Sequence, residues 1–342
     1  MIEGLEDGKV AVVNVIHHAY FDGAGASHVL QQFFSTEPGV KHVPPEQAWQ
    51  PDVYPSWFKR LLSGARDWPG VVLANTPRAV VGIFKKLRVE AAARKSGKPP
   101  HPNANMMQKT PLNKVLGRGR TFVCDSLSLA DFRRVGKAWN CTINDVFLSC
   151  SAGAMRRYLH DLGFDSSSPL VAGNPLSQRR PENMAGVGNF ATADFCWLHT
   201  EVEDPVERLQ ASHLSANEMK AHAKACEGAD MGTIVPLLPP WVVKFMSWNI
   251  RKGDGARGVF GNVVLSNVVG PRTPLYLDNM RLDNWFSTGQ VFDGSSLNMT
   301  LWSYCGNANL CILADEEVLP DGWVLYNYFA EELGSLLDAI EG

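Results

Sequence analysis

His17 and His18 stand side by side, and Asp22-Gly23 follows four positions on, with Gly25 just beyond. A neutral imidazole titrates close to neutral pH, so it can take a proton from an alcohol at little cost. A carboxylate at Asp22 suits fixing the backbone or a neighbouring cation. Gly23 and Gly25 allow tight turning and close approach of a ligand to the main chain. The chemistry this set suits is activation of a hydroxyl nucleophile. The plain alternative is a turn that carries two incidental histidines.

The elements that would position these residues are a strand before and a helix after. Val10, Val12, Val13, Val15 and Ile16 make Lys9–Ile16 read as a buried strand. Ala26, Val29, Leu30, Phe33 and Phe34 recur at helical spacing and predict an amphipathic helix packed on it. A loop between two such elements is held rigidly yet open to substrate. Neighbouring side chains of a strand diverge, so a single histidine of the pair would face a given cavity. For the same reason the pair makes a poor metal site, and no third ligand has suitable spacing. No GxSxG elbow is present, which argues against a serine hydrolase.

His17-His18-Ala19-Tyr20-Phe21-Asp22-Gly23 resembles the HHxxxDG signature of the coenzyme-A-dependent acyltransferase superfamily. Further stretches resemble, more narrowly, the bacterial wax ester synthase/diacylglycerol acyltransferase family. They are Thr110-Pro111-Leu112-Asn113, Asn144-Asp145-Val146, Asn174-Pro175-Leu176-Ser177-Gln178-Arg179, and Asp204-Pro205-Val206-Glu207-Arg208-Leu209. Ser266-Asn267-Val268-Val269-Gly270-Pro271, Phe292-Asp293-Gly294 and Leu297-Asn298-Met299-Thr300 complete a set in family order. Val269 departs from the pattern, which usually has proline there. Family members also carry a segment with a Pro-Leu-Trp motif ahead of the strand leading into the histidines; the expectation here is an incomplete first lobe.

The resemblance implies an α/β (α+β) fold of two chloramphenicol-acetyltransferase-like lobes with a central channel. Residues 1–93 would belong to the first lobe, 94–120 to a linker and 121–342 to the second lobe. It also implies direct O-acyl transfer from acyl-coenzyme A, a co-substrate rather than a bound cofactor, to a fatty alcohol or diacylglycerol. His18 would be the general base and His17 a support for the loop. Asp22 would pair with an arginine, for which Arg179 and Arg272 both stand in family-like motifs. Gly23, Asn144, Asp145, Ser266, Asn267 and Asn298 would line the substrate site, with Asn267 and Asn298 as candidate oxyanion donors. The rival reading is a shortened, non-catalytic protein that binds acyl-coenzyme A or lipid, or serves as an interaction partner.

Composition bounds these readings. The chain has 342 residues, 45% of them hydrophobic and 20% charged, which is ordinary for a globular protein. A net charge of -3 leaves no electrostatic footprint for nucleic acid. Seven cysteines without a CxxC pair suit buried, reduced thiols. No apolar run reaches the length of a spanning helix, so the expected location is cytoplasmic, with peripheral contact at a membrane or lipid-droplet surface left open.

Along the remaining chain, Glu37–Pro55 reads as irregular, and Ser56–Leu62 and Pro77–Ala93 as two helices. Arg94–Arg120 is rich in Lys, Pro, Gly and Asn; its basic residues read mainly as solvated, with coenzyme A phosphates as the alternative. Ser128 is a candidate N-cap for a helix to Ala138. Asn144-Asp145 reads as a helix cap, and the resemblance implies, with equal weight, a place in the channel wall. Strands are predicted at Leu170–Ala172, Phe190–Leu198, Val263–Ser266, Asn298–Ser303 and Leu310–Leu313, and helices from Asp204-Pro205 and after Asp321. Met231–Trp248, apolar with prolines and two tryptophans, reads best as core packing.

Overall fold

The computed structural model describes residues 1–18, 20–40, 50–177, 179, 188–229, 231–252 and 260–341. One six-stranded sheet organises most of them. It contains β1 (Arg120–Ser128), β2 (Leu170–Ser177), β3 (Ala191–Leu198), β4 (Val263–Val269), β7 (Leu297–Tyr304) and β8 (Asn307–Asp315), in the order β1-β8-β7-β4-β2-β3. The central pairs β2–β4 and β4–β7 are parallel; the outer pairs are antiparallel. A short hairpin, β5 (Tyr276–Leu277) with β6 (Met280–Arg281), stands apart from it. Mixed α/β architecture is what the sequence predicts, and the strand positions predicted from residue 170 onward all fall within observed strands, Phe190 apart.

One face of the sheet carries the main core. The helices α3 (Leu129–Ala138), α4 (Ile143–Asp161), α5 (Pro205–Ala225) and α8 (Gly322–Glu341) supply it, with Phe132, Phe147, Met155, Leu159, Leu209 and Phe329 fully or almost fully buried. Their starts follow from local chemistry. Ser128 caps α3 by accepting from the Asp131 N–H, and Asp204 caps α5, where Pro205 occupies the first turn. Thr142 and Asp145 form a reciprocal capping box at α4. Within this layer Arg208 and Glu332 form a buried ion pair, and Arg208 also donates to the carbonyls of Val202 and Glu203.

Alternation along the central strands separates the two faces. Val263, Leu265, Leu297, Met299 and Leu301 point into the helical core. Trp302 and Tyr304 point the other way, into a smaller cluster with Leu275, Phe34, Val268 and Trp285. Trp285 stacks on Trp302 at 5.4 Å between ring centroids. The first helix, α1 (Gly23–Gln31), docks on this second face through β4.

The segment ahead of β1 is pinned by asparagine side chains. Asn113 donates to the carbonyls of Gly294 at 2.7 Å and Asn262 at 3.2 Å, while Asn262 donates to Asn113 Oδ1 at 2.8 Å. Asn262 Oδ1 accepts from the Val171 N–H, and Asp293 Oδ1 accepts from the Leu116 N–H. The stretches Thr110–Asn113 and Phe292–Gly294 therefore meet in one buried network.

The structure corrects four expectations. Lys9–Ile16 is not a buried strand: Ile2–Ala11 is its one bridge among the described residues, and Val12, Val13 and Val15 are exposed. Without a paired neighbour an apolar run has no ladder to complete and no face to bury. The two helices predicted around residues 56–93 are one, α2 (Trp57–Lys95), which runs through Pro69 and Pro77. Both prolines are exposed, so water can satisfy the carbonyls they leave without partners. Met231–Trp248 does not pack as core. It forms α6 (Met231–Ile234), a 3₁₀ turn and α7 (Pro240–Lys252), which leaves Trp241, Phe245, Met246 and Trp248 exposed. Finally, of the seven cysteines, all free, Cys124, Cys141 and Cys305 are only partly buried. The expectation of an irregular Glu37–Pro55 falls partly on residues 41–49, which lie outside the described residues.

Candidate active site

The site is built around Asp22. Its side chain is the N-cap of α1, with Oδ1 accepting from the Gly25 N–H at 2.6 Å. Arg179, just beyond β2, closes on the same carboxylate: Nη2 donates to Oδ1 at 2.8 Å and Nε to Oδ2 at 3.2 Å. The Phe190 N–H donates to Oδ2 at 2.9 Å, and Arg179 Nη2 also donates to the Gly188 carbonyl at 2.9 Å. The guanidinium lies 4.9 Å from the centre of the Phe190 ring. Asp22 is thus fully engaged and buried. Burial alone would raise its pKa; the Arg179, Gly25 and Phe190 hydrogen bonds outweigh it and hold the carboxyl below its ordinary 3.8.

Close approach excludes a side chain at Gly25 and leaves little room for one at Gly23. A Cβ on Gly25 would lie 2.7 Å from Arg179 Nη2 and 2.9 Å from the Gly188 carbonyl oxygen. A Cβ on Gly23 would press on Val268 of β4 at 3.3 Å. The Asp22–Gly25 turn is therefore wedged between β4 and the segment joining β2 to β3.

His17 and His18 sit in a turn rather than on a strand end: the Tyr20 N–H donates to the His17 carbonyl at 3.0 Å. Strand divergence is therefore not what distinguishes them; their partners are. His17 meets Tyr20 edge to face, with centroids 6.2 Å apart. His18 meets Asn189, whose Nδ2 donates to the His18 carbonyl at 2.8 Å and lies 3.3 Å from the ring Nδ1. Both imidazoles are exposed to solvent. Neither belongs to a group of three potential metal ligands among the described residues.

Residues 1–147 match the wax ester synthase/diacylglycerol acyltransferase catalytic domain, and residues 187–337 match the WS/DGAT C-terminal domain. A putative diacylglycerol O-acyltransferase of Mycobacterium tuberculosis is 40% identical over 99% of this chain and 72% of its own length. The chain belongs to the wax ester synthase/diacylglycerol acyltransferase (WS/DGAT) family. The O-acyltransferase WSD of Acinetobacter baylyi is 28% identical over 97% of the chain and 71% of its own length. The wax ester synthase/diacylglycerol acyltransferase of Marinobacter aquaeolei VT8 shares the fold, with a TM-score of 0.63 at 23% identity over 96% of this chain and 68% of that one. The chain is an acyltransferase of the WS/DGAT type.

Around the WS/DGAT histidine motif the structure sorts the remaining candidates. Of the two candidate arginines, Arg179 holds Asp22, whereas Arg272 lines a shallow pocket with Arg133, Val269 and Gly270. Ser266 shares a sheet face with Val268, the face on which α1 docks, and Asn298 and Thr300 share it by register. Asn298 Oδ1 accepts from Thr300 Oγ1 at 2.8 Å, and its Nδ2 has a long 3.5 Å contact to the Gln290 carbonyl. Alternation turns Asn267 to the opposite face, toward the helical core. Asn144 and Asp145 stand at the start of α4, where Asp145 accepts from the Thr142 N–H at 2.8 Å and lies 2.7 Å from His213 Nδ1. The Asp145 bond to Thr142 is that of a helix cap, and His213 is not a partner of the histidine turn.

Asn189 and Phe190, which reach His18 and Asp22, are not among the candidates read from the sequence. Gly188-Asn189 before an apolar strand signals a turn. That the Asn189 amide reaches His18 is a tertiary contact, which no local pattern reveals.

Proposed function

We propose that this chain transfers a long-chain fatty acyl group from acyl-coenzyme A to the hydroxyl of a fatty alcohol or diacylglycerol, with His18 as general base. The observation that carries the reading is the arrangement around His18: an exposed imidazole on a turn fixed through the buried Asp22–Arg179 pair and Asn189. A positioned, solvent-reached base beside a rigid turn is what deprotonation of a diffusing alcohol requires. The relatives named as diacylglycerol O-acyltransferase and wax ester synthase supply the substrate classes.

In this mechanism His18 takes the acceptor's hydroxyl proton as the oxygen attacks the thioester carbonyl. The carbon–sulfur bond then breaks, and the protonated imidazole returns the proton to the departing thiolate, so no acyl-enzyme forms. A base in this role contributes about 10²–10⁴ in rate, or roughly 3–5 kcal/mol of barrier. The base needs a free ring lone pair. Donation from Asn189 into Nδ1 would place the proton on Nε2; the productive tautomer is protonated on Nδ1, and Asn189 then bonds the His18 carbonyl alone. Asn189 is thus a positioning residue. Oxyanion support is assigned to amide donors on the same sheet face, with Asn298 as the candidate.

The substrate assignment is tested by incubating palmitoyl-coenzyme A with hexadecanol and, separately, with dipalmitoylglycerol, and identifying esters by mass. Wax ester or triacylglycerol is the expected product. Hydrolysis to palmitate alone in both incubations would refute these acceptor classes.

A further inference from the structure

Away from the histidine turn, three side chains from distant parts of the chain converge: His101 from the segment after α2, Asp194 from β3 and His222 from α5. Asp194 Oδ1 lies 2.9 Å from His101 Nε2, and its Oδ2 lies 2.9 Å from His222 Nδ1. The two imidazoles stack at 3.5 Å between centroids, with 16° between their planes. All three side chains are at least four-fifths buried. Their ligand atoms lie within 4.8 Å of one another.

We propose that His101, Asp194 and His222 form a zinc-binding site, with three protein ligands and a fourth position open to water. Two imidazole nitrogens and a carboxylate oxygen form the borderline donor set that zinc favours among available divalent ions. At normal bond lengths, ligand atoms on a tetrahedral zinc lie about 3.3 Å apart. The rings now stack nearly parallel, each on its own oxygen of the Asp194 carboxylate, so admitting the ion requires the imidazoles to turn until both nitrogens point at one centre. Cys226, one helical turn beyond His222, completes the design from outside: its Sγ lies 3.4 Å from His222 Nε2. When the ion takes Nδ1, the ring proton resides on Nε2 and is donated to that sulfur, which fixes the ring as partners of metal-bound histidines do.

The ion would join the segment after α2 to β3 and α5. The α2 helix already crosses the turn after α5 closely enough that a Cβ on Gly82 would collide with Gly228. Its predicted consequence is a thermal midpoint that rises with zinc concentration, because only the folded chain assembles the ligands.

The test uses the full chain, stripped with a chelator and titrated with zinc alone. One equivalent is expected to bind to the wild type and to be lost in His101→Gln, Asp194→Asn and His222→Gln, each checked for folding by circular dichroism. Cys226→Ser should still bind, about 10–100-fold more weakly. Cobalt in the wild type should show visible bands of a nitrogen–oxygen site without a thiolate charge-transfer band, a readout that needs no variant. Absence of stoichiometric binding overturns the proposal. So does binding that survives the three ligand substitutions, or a thiolate band, which would place the ion at a cysteine site.

Discussion

Arg179 and Asp22 stand 157 residues apart in sequence and meet through a 2.8 Å Nη2–Oδ1 contact in which both side chains are almost wholly buried. The pair joins the histidine turn to the segment between β2 and β3. Removing one member of such a pair leaves the other buried and unpaired, at a cost of about 3–5 kcal/mol.

Asp22→Ala and Arg179→Ala are therefore each expected to reduce ester formation severely, with the double variant scarcely worse than either alone. A double-mutant cycle on turnover, with folding followed by circular dichroism, checks this. Additive losses would mean that the two residues act separately.

Gly25→Ala is a smaller change with a comparable expected effect. The added methyl would lie 2.7 Å from Arg179 Nη2 and 2.9 Å from the Gly188 oxygen, so the clamp must open. Because Asp22 accepts from Gly25 through the backbone, the cap itself survives the substitution. Turnover should fall well before global stability does, and parallel thermal and kinetic measurements would show the separation.

The pH dependence of the clamp has a defined sign. The folded pKa of Asp22 lies below its ordinary 3.8, so its contribution is complete above that value and is lost as pH falls through the folded pKa. The stability difference between wild type and Asp22→Asn should be constant from about pH 5 to about pH 8, and shrink below about pH 4. Denaturant melts across that range measure it. A difference that shrinks toward alkaline pH would contradict the assignment.

Much of this fold is legible in the sequence because its signals are local. Ser128, Thr142 and Asp204-Pro205 mark helix starts through side-chain caps, and the apolar runs of β2, β4, β7 and β8 lie in a sheet that buries both faces. Val10–Ile16 carries the same apolar signal and is exposed, because a strand is made by its neighbours as much as by its own residues. Ser56–Leu62 and Pro77–Ala93 read as separate helices, yet α2 runs through Pro69 and Pro77, because in a solvent-exposed helix the freed carbonyls can turn to water. Within the site, Asp22 is recognisable as a cap and an ion-pair partner. The choice of Arg179 over Arg272, the placing of Asn298 on the α1 face and of Asn267 on the other, and the contact of Asn189 with His18 depend on tertiary contacts and strand register. The proposed zinc ligands are likewise scattered: His222 stands on α5 with Cys226 a turn beyond, but His101 and Asp194 join it only in the folded chain.

Asn189→Ala tests the positioning of the base. The variant loses the 2.8 Å bond to the His18 carbonyl and leaves the imidazole in place. About a tenfold or larger fall in kcat, with KM for acyl-coenzyme A little changed, is expected. Asn189→Gln should restore part of it. An increase in KM alone would make Asn189 a substrate contact instead.

The most direct measurement compares wild type with His18→Ala for ester formation from palmitoyl-coenzyme A and hexadecanol or dipalmitoylglycerol. Products are detected by mass, because seven cysteines would confound a thiol dye. Product from the wild type, falling by about 10²–10⁴ in the variant, is the predicted result. Equal product from both would contradict His18 as the base, and with it the mechanism proposed for this chain.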